Sequence, residues 1–387
     1  MNVWIINPFD NLPVEGYRPQ RYWLMSEAFA RAGHDVTYWT QDWSHAKKQR
    51  RGEAAAHLHP TSPVSPPFTL VYVPVPGYRT NICFKRIWSH WRFARNWAAM
   101  AAGRSAPDLI VVSSPPLFIG REVRRFCART GSKYIVDIMD AWPETFERVA
   151  PRWTLGWMRR LARGNYRSAA GITAVAQRYL DLAKSYGALC PMHLCYHGIA
   201  RTPLGGGQQK KGVSAERLPP SSLRLVYAGN MSLSYDLATA IDAVKGDVGL
   251  SLDLAGAGPD ETELHRRAEG CDRIRFHGYL ADDALRALLA GADVGLVPMF
   301  DASCVGVPYK LADYAAAGLP VASSLHGETE MLLARQNAGA TYPAGDAQAM
   351  RQAVREAAGR RAGASALARI FDAEELYKGY VAFAAAL

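Results

Sequence analysis

Short apolar runs recur along the chain, each followed by a loop and then a helical stretch, and the series starts again after residue 222. Val3-Trp4-Ile5-Ile6 reads as a buried strand. A loop with Pro and Gly follows (Asn7 to Pro19), then a helix over residues 20–32. Ala32-Gly33-His34-Asp35 closes it before the next strand, Val36–Thr40. Strand, helix, glycine and strand in that order form a right-handed βαβ unit and imply a parallel sheet. Leu109–Val112 and Tyr134–Asp137 continue the series. From Arg201 to Ser222 the text becomes Gly-, Lys- and Pro-rich, as in a linker. The pattern then resumes with Leu223–Ala228, Leu250–Leu254, Ile274–Tyr279, Val294–Val297 and Pro320–Ala322. The reading is α/β: two facing Rossmann-like, doubly wound domains with a ligand cleft between them. The first covers 1–200 and the second 223–370, with 201–222 as linker and a helix over 371–387 returning to the first domain. Pro60–Pro67 is expected to be a mobile loop.

A length of 387 residues suits two such domains, and 49% hydrophobic with 21% charged residues excludes a disordered, collagenous or coiled-coil chain. The six cysteines are scattered without a C-x-x-C pair, which argues against structural zinc or a disulfide framework. The first residues lack the basic start and apolar length of a signal peptide, and no run of about 18 apolar residues occurs. The expected location is therefore the cytoplasm or a membrane surface. The net charge of +10 is unevenly placed: residues 1–200 carry 26 Lys+Arg against 13 Asp+Glu, and residues 201–387 carry 19 against 22. Whatever partner wants positive charge meets the first half.

Two loops carry the candidate chemistry. Ala228-Gly229-Asn230-Met231-Ser232 lies between a strand and a helix, where backbone amides are aimed at an anion and Gly lets a phosphate approach. Turn chemistry alone is the commoner use of such a glycine. Gly306-Val307-Pro308-Tyr309-Lys310-Leu311-Ala312-Asp313 is more telling. Pro308 suits an early helix position, which would put the amides of Gly306 and Val307 at the helix N-terminus. Lys310 there opposes the helix dipole, which makes sense beside a polyanion. Asp313, three residues on, shares its face and suits a ribose diol; a solvated ion pair is the plain alternative.

Residues 306–321 resemble the donor-site signature of family-4 glycosyltransferases, retaining enzymes of the GT-B fold. Glu15-Gly16-Tyr17-Arg18-Pro19, Asp42-Trp43-Ser44-His45, Asp140-Ala141-Trp142-Pro143-Glu144 and Tyr227-Ala228-Gly229-Asn230 resemble, in order, motifs of a bacterial subgroup that builds O-antigen and capsule sugars. The resemblance implies a nucleoside-diphosphate-sugar donor, for which a UDP-sugar is favoured here, held by Gly16, Gly229, Asn230, Ser232, Tyr279, Gly306, Val307, Pro308, Lys310 and Asp313. Asp140 would be the catalytic residue near the anomeric carbon, with Asp137 a second candidate; a helix cap is the plain use of Asp140. The family's Glu-x7-Glu is not kept: Val305 stands at the first acid and Asp313 at the second, and no basic pair follows the phosphate loop. His45 and His197 read as lone, structurally bland histidines.

Arg79 to Arg104 contains six basic residues and no acid, with Phe84, Trp88, Trp91, Phe93 and Trp97 interleaved. A helix with this pattern suits an anionic membrane surface, single-stranded nucleic acid, or a domain core. Absence of any nucleic-acid module favours the membrane. Arg18, Lys85, Arg86, Trp88, Trp91, Arg92 and Arg95 are the acceptor and membrane candidates. The expected enzyme moves a sugar to a lipid-linked saccharide at the inner membrane face, in cell-envelope polysaccharide synthesis. It needs no metal or other cofactor and no nucleic acid. The alternatives are a nucleotide-sugar 2-epimerase and a catalytically silent nucleotide-sugar-binding subunit.

Overall fold

A computed structural model of the chain describes residues 1–51, 66–80, 83–148, 151–200 and 222–387. The expected 201–222 linker, except Ser222, and most of the Pro60–Pro67 loop lie outside these residues. Two units divide the chain, Met1–Ala200 with Ala373–Leu387, and Arg201–Asp372.

In the first unit the strands are β1 (Asn2–Ile6), β2 (Asp35–Gln41), β3 (Trp43–Ser44), β4 (Gln49–Arg50), β5 (Thr69–Val73), β6 (Leu109–Ser114), β7 (Lys133–Ile138), β8 (Gly171–Ala174) and β9 (Met192–Leu194). Between them run α1 (Arg21–Arg31), α2 (Phe84–Ala101), α3 (Leu117–Thr130), α4 (Gly156–Arg167) and α5 (Gln177–Ser185). Seven strands form one parallel sheet in the order β5-β2-β1-β6-β7-β8-β9, and β3 pairs with β4 as a small hairpin. All six positions of β6 are buried, as a strand covered on both faces requires.

Beneath this sheet sits an ionic knot. Arg21 on α1 makes paired bonds of 2.8 Å to both carboxylate oxygens of Asp137 on β7. The hydroxyls of Tyr22 and Thr173 donate to the same carboxylate at 2.7 and 2.6 Å. Arg21 Nη1 also donates to the carbonyls of Cys195 and Tyr196. Burial alone would raise the Asp137 carboxyl, but Arg21 and these donors hold it below the ordinary carboxylate range. Every oxygen is spoken for, so Asp137 is a structural anchor, correcting its candidacy for catalysis.

The second unit repeats the plan with β10 (Leu223–Ala228), β11 (Leu250–Ala255), β12 (Ile274–Gly278), β13 (Val294–Val297), β14 (Val321–Ser323) and β15 (Gly339–Thr341). Its helices are α6 (Leu237–Lys245), α7 (Glu261–Ala268), α8 (Asp282–Ala290), α9 (Tyr309–Ala316), α10 (Glu328–Gln336), α11 (Ala347–Ala358) and α12 (Arg361–Ile370). The sheet is parallel throughout, in the order β12-β11-β10-β13-β14-β15. The last helix, α13 (Ala373–Ala385), packs in the first unit: its Tyr377 and Tyr380 are buried with Phe29 of α1 in one apolar cluster.

Candidate functional site

In the second unit the loop after β10 is built by close backbone approach. Gly229 N donates to Ala255 O at 2.9 Å, and Met231 N to Ala257 O at 3.0 Å. A Cβ on Gly256 would stand 1.9 Å from Gly229 O, and one on Gly258 would stand 2.0 Å from Met231 O, so only glycine fits. Two of the four amides expected to face an anion are thus spent on the loop's own bracing. Those of Asn230 and Ser232 remain outside these pairings.

Lys310 meets this loop from α9. The helix begins at Tyr309 with Pro308 as its N-cap, one residue later than expected. Its first-turn amides are therefore those of Tyr309 and Lys310 rather than Gly306 and Val307. The Gly306 carbonyl instead accepts from Thr329. No side chain caps this N-terminus and no acid lies in the first turn. Lys310 is 8% exposed, and its Nζ sits 4.2 Å from the Tyr227 ring centroid and 3.6 Å from that of Tyr235. A Cβ built on Gly229 would be 3.2 Å from the same nitrogen. Among the described residues this Nζ has no hydrogen-bond partner. Burial depresses its proton affinity well below the lysine range, only partly opposed by the half-buried Asp313. Lys310 is buried, so it does not present the solvated surface pair that was the plain alternative. Tyr314, also on α9, accepts from Ala228 N at 3.0 Å and ties the helix to the loop.

The tyrosine frame was invisible in the sequence. Tyr227, Tyr235 and Tyr314 converge from a strand, a loop and a helix, and no fixed spacing links them. Tyr279, just after β12, is 74% exposed.

In the first unit, Gly16 takes φ +84° after a short turn of helix over Pro13–Glu15, with nothing within 4 Å of where a Cβ would stand. The half-buried Arg18 follows it. Asp140 follows β7. Its Oδ1 accepts from Ala141 N and the Thr145 hydroxyl, and its Oδ2 from Trp142 Nε1. Burial raises the Asp140 carboxyl, against those donors and Arg86. Asp140 thus braces its own turn. Glu144 accepts from the Tyr186 hydroxyl.

On α2 the structure divides the candidates. Ser89, His90, Phe93, Ala94, Trp97 and Ala101 face inward. Phe84, Ile87, Trp88 and Trp91 are exposed at 89, 45, 52 and 40%, and Lys85, Arg92 and Arg95 are exposed with them. Arg86 departs from the expectation of a surface contact. Its guanidinium is turned inward, 5.8 Å from the Phe9 ring centroid and 5.7 Å from that of Trp142. His45 is not a lone histidine either: its Nδ1 is 2.6 Å from the Tyr78 hydroxyl, and its ring packs on Phe9.

Residues 21–202 match the family model described as Glycosyltransferase Family 4, and residues 222–359 match that of Glycosyl transferases group 1. The putative colanic acid biosynthesis glycosyltransferase WcaL of Escherichia coli is 27% identical over 164 residues. That alignment covers 40% of either chain, so the match spans well under half the length of this curated relative. Among solved structures, sucrose-phosphate synthase from Thermosynechococcus elongatus superposes with a TM-score of 0.74 at 15% identity, over 100% of both chains. The Anabaena protein HepE, solved with UDP and glucose, gives 0.65 at 13% identity, again over both full chains. The fold is GT-B.

Proposed function

The chain belongs to the family-4 glycosyltransferases, and on that premise we propose that it transfers a sugar from a UDP-sugar to a lipid-linked saccharide, with retention, in cell-envelope polysaccharide synthesis. The observation that carries the donor half is Lys310. A buried ammonium without a hydrogen-bond partner is costly, and here it is held on aromatic faces beside Gly229. A diphosphate bound there supplies the missing counter-charge. The amides of Asn230, Ser232, Tyr309 and Lys310 share that charge, and a leaving group neutralised in this way needs no bridging metal. Asp313 would hold the ribose and Tyr279 the base. UDP is the favoured nucleotide because HepE, of the same fold, was solved with it.

For the acceptor half, the exposed Trp and basic face of α2 suits the headgroup region of an anionic membrane. No helix among the described residues is long and apolar enough to cross a membrane. Asp140, its carboxyl raised by burial and held by three donors, is the proposed residue beside the reacting sugar. The test supplies UDP-glucose, UDP-galactose and their N-acetyl forms to the purified protein with membrane lipid extract. Nucleotide release that requires the lipid, with one new glycolipid by mass spectrometry, is the expected result. Release without a glycolipid product, or none, rejects the reading.

A further inference from the structure

Helix α2 begins under conditions a helix avoids. Its N-cap Cys83 makes no side-chain cap, its first turn holds no acid, and that turn carries Lys85 and Arg86. Cations there oppose the helix dipole, and of the first-turn amides that of Arg86 donates to the Cys83 carbonyl at 3.1 Å. One turn further, on the same face as Arg86, His90 is 3% exposed and its Nε2 has no hydrogen-bond partner among the described residues. The His90 ring packs 5.2 Å from Phe9 and 5.9 Å from Trp142, the two rings that flank the Arg86 guanidinium. From the β3–β4 hairpin comes Lys48, its Nζ donating to the His45 carbonyl at 2.6 Å and lying 3.4 Å from His45 Nδ1 and 5.1 Å from the centroid of Tyr78.

Four basic side chains thus converge at one place in the first unit, and each is pushed toward its neutral form. Burial brings Lys48 down to about 8, with Arg86 adding to the shift. His45 falls to about 3 through burial, then Lys48 and Arg86. His90 falls well below the histidine range through burial, then Arg86 and His45. Tyr78, Cys83 and then Asp140 act on Arg86 in the opposite sense to burial.

We infer that the N-terminal end of α2, with Arg86, His90 and Lys48, is a phosphate-binding site in the first unit, separate from the Lys310 site. Phosphate meets the positive end of the helix dipole, takes a hydrogen bond from the buried imidazole and pairs with the two cations. Arg86 and Lys48 are only half-buried, so a ligand reaches them. The outward face of this helix carries the exposed tryptophans, one helix diameter (~10 Å) away. That proximity matches the diphosphate of a lipid carrier whose chain stays in the membrane, a source that rests on the lipid-linked acceptor proposed above. The phosphates of a nucleotide are the other source of this chemistry.

Titration of the full chain with farnesyl diphosphate and, separately, with UDP distinguishes the sources. Arg86→Gln and Lys48→Asn are the variants; asparagine suits the φ of +54° at position 48. The expected result is farnesyl diphosphate binding weakened about tenfold or more in each variant, unchanged in Lys310→Met, while UDP binding shows the reverse pattern. Should Arg86→Gln fail to fold, Lys48→Asn alone decides. If UDP binds nowhere but the farnesyl diphosphate pattern holds, the donor reading fails and this site stands. Farnesyl diphosphate binding that is absent, insensitive to both variants, or lost in Lys310→Met overturns the inference. So does UDP binding that depends on Arg86 and Lys48, which assigns the site to a nucleotide.

Discussion

Lys310 Nζ lies 3.6 Å from the centroid of the Tyr235 ring, buried and without a hydrogen-bond acceptor among the described residues. The two residues come from different elements of the second unit, Lys310 from the first turn of α9 and Tyr235 from the loop before α6. A cation–π contact offsets part of the cost of desolvating an ammonium, by about 2 kcal/mol or more at a desolvated site. It does not replace a counter-ion. The pair is a site built for a charge that arrives from outside.

Lys310→Met should leave the fold intact and hold or raise the thermal midpoint, because an apolar side chain of similar volume replaces a buried amine that has no hydrogen-bond partner among the described residues. UDP affinity should fall about tenfold to a hundredfold. Thermal unfolding and calorimetry on the same preparations check both halves. A variant that loses stability and keeps its affinity would show the lysine to be structural.

Donor binding should take up a proton. Burial holds the empty-site Lys310 well below its ordinary range, so much of it is neutral where a free lysine is charged. A bound diphosphate favours the ammonium and raises that value. Between the two values the complex holds one proton more than the free protein. Affinity therefore falls as pH rises, approaching tenfold per pH unit. Calorimetry in buffers of different ionisation enthalpy reads the uptake directly, and Lys310→Met should abolish it.

Asp137→Asn should cost about 3–5 kcal/mol of unfolding free energy, since it leaves the buried Arg21 without its carboxylate. UDP affinity of the folded variant should be unchanged. The Asp137 carboxyl is lower in the folded state than unfolded, so its contribution is present above the unfolded value and lost as pH falls through the folded one. Acid titration of wild type and variant should therefore converge at low pH.

Arg92 and Arg95 on the exposed face of α2 should each contribute about 1 kcal/mol to binding of vesicles rich in anionic lipid. Replacing both with Gln should weaken sedimentation with such vesicles more than about tenfold. Uncharged vesicles should show little difference.

The sequence made the βαβ series plain because buried parallel strands are continuous apolar runs, as in Leu109–Val112 and Leu250–Leu254. It also drew attention to Lys310, since a cation just after a helix-starting proline breaks a local rule. What contacts that cation was not legible. Tyr235 and Tyr227 reach it only through the tertiary fold, as do the glycines at 256 and 258 that brace the loop. The helical stripe 84, 87, 88, 91 was readable, but periodicity does not say which of two stripes faces the core. Arg86 was grouped with the surface cations for that reason, and its place among Phe9, Trp142 and His90 depends on loops far away in the chain.

The central claim is a nucleoside-diphosphate site around Lys310, and calorimetric titration of the full chain with UDP, GDP and ADP in the absence of metal tests it most directly. Binding of UDP near the micromolar range, about −8 kcal/mol, and its weakening in Lys310→Met is the predicted result. Failure of all three nucleotides to bind would contradict the donor site and the glycosyl transfer built on it.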